Sequence, residues 1–153
     1  MSPILARTAS TARGLVVVSD PTRPGYTAHV EDSGVVGHAL EVVAIDETRA
    51  SVHGGGPAAT FSQAEIDYAR SKPDPERRLA ARLAAKRAAC AALGGDLAPT
   101  DFEVVPARGG PPRLALSPRA LAHCRRLGGS RVLVSLTHGL THAAAAVLVV
   151  ADE

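Results

Sequence analysis

The chain has 153 residues, 46% apolar and 21% charged, with 3% aromatic residues and no Trp. That length and mix fit one globular domain whose core is built from Ala, Val and Leu. Its net charge of +2, from 17 basic and 15 acidic residues, is too balanced to point to nucleic acid, and no apolar run approaches the ~20 residues of a membrane span. The N-terminus lacks an apolar signal core. Cys90 and Cys124 fall in helix-like segments without metal-type spacing, so both are expected as free thiols of a reducing compartment. A cytoplasmic protein with neither nucleic acid nor membrane as partner is the expectation.

In chain order, residues 1–14 are small and polar and read as a loose arm. Gly14–Ser19 has the composition of a short strand, closed by the turn cluster Asp20-Pro21-Thr22-Arg23-Pro24-Gly25. Val35–Ile45 is apolar and β-branched, a strand. An irregular stretch over 46–60 ends in Gly54-Gly55-Gly56-Pro57. Ser62 followed by Glu65 is the capping-box pattern and predicts a short helix from Gln63 to about Ala69. A longer helix is predicted from Pro75 to Leu93, stopped by Gly94-Gly95, with Leu79, Leu83, Cys90 and Leu93 as its apolar stripe. Lys86 and Arg87 flank that stripe. Phe102–Val105 and Arg113–Leu116 read as strands around the turn Gly109-Gly110-Pro111-Pro112. Ser117 and Pro118 open another helix, which ends near Gly128-Gly129. Arg131–His138 and His142–Val150 are expected to form a β-hairpin. The division that follows is an arm over 1–34, with a short strand in it, and one domain over 35–153.

Four segments, in order, resemble the holo-acyl-carrier-protein synthase type of the 4′-phosphopantetheinyl transferase superfamily. Val36-Gly37-His38-Ala39-Leu40 is similar to the opening strand Gly-x-Asp-hydrophobic. Phe61-Ser62-Gln63-Ala64-Glu65-Ile66 is similar to Phe-Thr-x-x-Glu. The run from Arg78 through Arg82 and Lys86 to Ala88 is similar to the helix Arg-Leu-Ala-x-Arg-Phe-Ala-Ala-Lys-Glu-Ala. Ser135-Leu136-Thr137-His138 is similar to Ser-hydrophobic-Ser-His at a strand end. The resemblance covers roughly residues 35–150. It implies an α+β fold, an antiparallel sheet packed on a long helix. It also implies a homotrimer with active sites between subunits, and transfer of phosphopantetheine from coenzyme A to a serine of an acyl carrier protein. In such relatives Mg²⁺ is held by the strand Asp and by the Glu after the helix lysine.

Here those two positions are Ala39 and Arg87. Mg²⁺ wants carboxylate oxygens in near-octahedral geometry. A methyl group offers none, and a guanidinium repels the ion by about 1 kcal/mol per unit charge pair at ~4 Å in water and several times that near a protein surface. Mg²⁺ and a protein metal site are therefore not expected. Arg82, Lys86 and Arg87 are expected as an anion cradle for the phosphates of coenzyme A or phosphopantetheine, with Ser135 and Thr137 beside it; a solvated basic face is the plainer alternative. His138 matches the family histidine and is the first candidate for acid–base work, with His38 beside Ala39 and His142 across the hairpin. His138 and His142 would lie 5–6 Å apart between Cα atoms if they pair directly. A zinc site from these histidines lacks a supporting Cys or carboxylate. Glu41 shares the face of Ala39 on an extended strand, Asp46 is a second displaced carboxylate, and Glu65 is explained equally by capping.

The function expected from these residues is binding of an acyl carrier protein and its phosphopantetheine arm, or coenzyme A, without Mg-dependent transfer. Retained Arg82, Lys86 and His138 suggest histidine chemistry on a carrier-bound acyl chain, such as dehydration or isomerisation in polyketide or fatty-acid biosynthesis. The alternatives are an active 4′-phosphopantetheinyl transferase and a non-catalytic scaffold or regulator of a carrier protein.

Overall fold

The computed structural model describes residues 16–19, 27–30, 34–49 and 60–152. Val16–Ser19 (β1) pairs antiparallel with Thr27–Val30 (β2). The expected strand is present, and its partner lies in the stretch read as an arm. The loose segment 1–14, the turn 20–25 and the glycine run 54–57 lie outside the described residues.

Val35–Ala44 (β3) runs into a 3-10 turn at Ile45–Thr48. Gln63–Arg70 (α1) starts on the expected capping box: the Ser62 hydroxyl accepts from the Glu65 N–H, and Glu65 accepts from the Ser62 N–H. Pro75–Leu93 (α2) keeps the expected bounds, with Pro75 in its first turn and Gly94 at φ 68° ending it. Phe102–Val105 (β4) pairs with Arg113–Leu116 (β5). Ser117 caps Pro118–Arg126 (α3) by accepting from the Ala120 N–H. Arg131–His138 (β6) and His142–Val150 (β7) close the chain, and the main sheet is antiparallel in the order β3-β7-β6. The fold is the expected α+β one, an antiparallel sheet packed on a long helix. Among the described residues no helix is long and apolar enough to cross a membrane.

The sheet has two faces because strand side chains alternate. Val43, Ala143, Ala145, Val147 and Val149 are buried beneath α2. The residues between them face away, and Leu40, Val42, Leu133 and Leu148 are exposed. The apolar stripe expected on α2 is too narrow. Its alanines 80, 81, 84, 85, 88, 89 and 92 are buried too, because the helix packs on the sheet along one side and against α1 and β4 along another. Small side chains let the backbones close in: a Cβ on Gly37 would stand 2.3 Å from the Ala92 carbonyl oxygen. Cys124 is buried and Cys90 half-buried, both as free thiols pushed up in pKa by burial.

Candidate functional site

Arg78 and Arg82 lie one turn apart on α2, on the side that meets α1. The Arg82 guanidinium sits 4.2 Å from the centre of the Tyr68 ring and donates from Nη1 to the Arg78 carbonyl at 3.3 Å. Arg82 is only 4% exposed, and burial lowers its pKa from the ordinary value while Tyr68 opposes that shift. An arginine stays cationic even so. The Nε of Arg82 and the Nε of Arg78 are both buried without a hydrogen-bond partner among the described residues. Both arginines line a cleft of about 420 Å³ together with Tyr68, Pro112, Thr137 and His138. Two guanidinium groups with unmet donors beside a titratable imidazole suit an anionic ligand.

Lys86 does not join that cleft. It is 1% exposed, and its Nζ lies 2.5 Å from Glu65 Oε2 and donates to the Thr60 carbonyl at 2.6 Å. Glu65 accepts in addition from the N–H groups of Ser62 and Val104, at 2.9 and 2.8 Å. Glu65 is therefore more than a cap: it ties α1, α2 and β4 together. Arg87 also points elsewhere, into a half-exposed ion pair with Glu47 at 3.1 Å. Of the three cations expected to form one cradle, Arg82 alone lines the cleft, and Arg78, unforeseen in that role, lines it with Arg82.

The three histidines are not gathered. His138 is half-buried on the helix side of β6. It pairs with Ala143 rather than with His142, so the direct pairing behind a 5–6 Å approach does not occur. His142 is exposed, and its Nδ1 bonds the Thr141 hydroxyl at 2.9 Å. His38 is exposed on the outer face, opposite Leu148, whereas His142 lies opposite Ala44. Six strand residues separate those register points, about 20 Å. Ser135 and Thr137 are exposed on the outer face, with Thr137 at the rim of the cleft.

No protein-family model matches the chain. Over 121 residues it is 32% identical to the holo-[acyl-carrier-protein] synthase of Koribacter versatilis, covering 74% of this chain and 97% of that protein. The chain belongs to the holo-[acyl-carrier-protein] synthase family. The synthase of Moorella thermoacetica is 41% identical over 95 residues, 60% of this chain and 74% of that one. Among solved structures, the acyl carrier protein synthase of Mycobacterium tuberculosis superposes with a TM-score of 0.59 at 31% identity, over 78% of this chain and all of its own. The Helicobacter pylori holo-[acyl-carrier-protein] synthase, solved with coenzyme A, has the same fold at 21% identity and a TM-score of 0.61, over 73% and 98% of the two chains.

In this holo-[acyl-carrier-protein] synthase homologue Ala39 is half-buried on the helix side of β3, with its methyl group against the core. Glu41 shares that side, as its spacing implied, while Asp46 bonds Arg49 at 2.9 Å. Among the described residues no three His, Cys, Asp or Glu side chains gather as metal ligands would.

Tyr68 and Arg78 line the cleft without being expected there from sequence. Arg78 had a signal, standing one turn before Arg82 in the same quoted helix segment. Tyr68 had none, because the packing of α1 on α2 brings it there.

Proposed function

We propose that this chain binds coenzyme A or the phosphopantetheine arm of an acyl carrier protein in the Arg78–Arg82–His138 cleft, without Mg-dependent transfer. The observation that carries the reading is the buried Arg82, whose Nε has no hydrogen-bond partner among the described residues and which lines the cleft with Arg78. A phosphate there would take up the free donors in charge-assisted bonds. The Helicobacter relative solved with coenzyme A agrees with that class of ligand.

The metal does not fit the side chains present. Mg²⁺ needs hard oxygen ligands, and the two positions that resemblance assigns to it hold a methyl group and a cation. The Arg87 guanidinium already neutralises Glu47, the nearest described carboxylate bonded to it. No step is therefore routed through a metal. A second reading has one observation in its favour. His138 lines the cleft, so its imidazole stands where it could move a proton on a bound acyl chain. Dehydration or isomerisation would have to rely on that one histidine, since His38 and His142 stand on other surfaces.

Assembly belongs to the same proposal. The exposed leucines and valines of the outer sheet face suit closure by further copies, in the trimer that the resemblance implies. Free thiols at Cys90 and Cys124 suit the cytoplasm.

Calorimetric titration with coenzyme A tests the cleft. Binding is expected in the presence of a chelator and unchanged by added Mg²⁺. Arg82→Ala is expected to weaken it by about 10- to 100-fold, the loss of one charge-assisted contact of 1.5–3 kcal/mol. Binding that requires Mg²⁺, or that ignores Arg82, contradicts the reading.

A further inference from the structure

Of the 17 basic residues only two are lysines, Lys72 and Lys86. The distinction is chemical. A guanidinium stays protonated and is no nucleophile, whereas an amine that has shed its proton attacks carbonyl carbon. Lys86 is not available for such chemistry: it is 1% exposed, and its Nζ is held by Glu65 and by the Thr60 carbonyl. Lys72 is the opposite case. It follows the end of α1, its side chain is exposed, and its backbone N–H donates to the Ala69 carbonyl at 3.1 Å.

Lys72 Nζ stands 5.1 Å from the centre of the Tyr68 ring, and the Arg82 guanidinium stands 4.2 Å from the same centre. Tyr68 and Arg82 both line the cleft, with Arg78 and His138. The accessible lysine amine thus shares an aromatic ring with the cation on which the anion reading of the cleft rests. Contact between a cation and a ring does not call for lysine, because an arginine stacks on the ring face at least as well. A ligand anchored at Arg82 by its phosphates, and carrying a flexible arm, opens other chemistry to that amine. The arm of coenzyme A is longer than the space between two cations that meet on one ring. It sweeps the volume round its anchor, and a group at its end reaches an effective concentration in the millimolar range.

We propose that Lys72 is a self-acylation site, taking the acyl group from an acyl thioester of coenzyme A held in the cleft. The proposal rests on the coenzyme A reading of the cleft and adds a covalent outcome to it. The neutral Lys72 amine attacks the thioester carbonyl carbon. A C–N bond forms, the C–S bond breaks, and a proton of the attacking amine passes to the departing thiolate. The products are an amide at Lys72 and free coenzyme A, and the balance needs no oxidant, reductant or further co-reactant. Acylation removes the charge of Lys72 beside the Tyr68 ring and leaves that of Arg82 in place.

The test is intact-mass spectrometry and peptide mapping of the wild type after incubation with acetyl-coenzyme A at sub-millimolar concentration. The same incubation is run with S-acetyl-N-acetylcysteamine, a thioester that lacks the phosphates. Acetylation of Lys72 is expected to run about tenfold faster from acetyl-coenzyme A than from the phosphate-free thioester. Desulfo-coenzyme A, which has no thiol, is expected to bring the faster reaction down to the slower rate, and this competition probes the anchor without altering the fold. Lys72→Arg keeps the charge, so it is expected to lose the modification yet bind coenzyme A within about twofold of the wild type in calorimetry. Equal rates from the two thioesters, an unmodified Lys72, or undiminished acetylation of Lys72→Arg overturns self-acylation, while coenzyme A binding leaves the cleft reading standing. A wild type that binds no coenzyme A overturns both.

Discussion

Lys86 buries an ammonium in a core built mostly of alanine, leucine and valine, and Glu65 answers it at 2.5 Å. Taking both charges out of water is costly, so the pair is tolerated through its extra bonds to Thr60, Ser62 and Val104 rather than through attraction alone. Removing one partner leaves the other buried and unanswered. Lys86→Met is expected to lower unfolding free energy by ~3–5 kcal/mol in urea titration, with Lys86→Met/Glu65→Gln recovering part of the loss. Loss of less than about 1 kcal/mol for the single variant would mean that Glu65 is not charged and buried as described. Asp101 gives a pH signature of its own. Bonds from the Ala98 N–H first, then from Ser117 and Arg119, lower its pKa to about 2. Its unfolded value lies near 3.9, so the folded state holds it ionised more strongly. The stabilisation, on the order of 1–2 kcal/mol, is present above about pH 4 and is lost as pH falls towards 2. Asp101→Asn should flatten stability over that window, and an unchanged acid slope would contradict the assignment.

The elements themselves were readable. Proline at the start of α2, the glycines after it, the Ser62–Glu65 box and the Ser117-Pro118 start are local signals, and the boundaries fell on or within a residue of them. What the sequence could not supply was direction across the sheet. Alternation says that neighbours such as His38 and Ala39 part to opposite faces, but which residue sits opposite which is set by register. Register placed Ala143, not His142, across from His138. Lys86 was misread for a related reason: its partner Glu65 lies on another helix, and a cation beside an apolar stripe looks the same whether it reaches into a cleft or into the core. The resemblance carried Arg82 and His138 to one cleft, while Tyr68 came from helix packing that no spacing reveals. The outer face of β3 also makes a prediction. Leu40 is 69% exposed there, so Leu40→Glu costs a lone subunit little, yet it would place three charges inside the proposed trimer. Light scattering should then find trimer for the wild type and monomer for the variant. Equal masses for the two proteins would contradict assembly through this face.

At the scale of the whole molecule, the family fold is kept. The sheet and the long helix carry an arginine cleft, and the two positions assigned by resemblance to carboxylates hold Ala39 and Arg87. Binding and transfer are separable on such a scaffold, because an arginine cleft holds phosphate by itself while a metal is what polarises the diphosphate for attack. The most direct measurement is intact-mass spectrometry of apo acyl carrier protein incubated with coenzyme A and this protein, with Mg²⁺ and with a chelator. An unmodified carrier protein is expected in both incubations, although coenzyme A binds. A Mg²⁺-dependent gain of the phosphopantetheine mass on the carrier serine would contradict it.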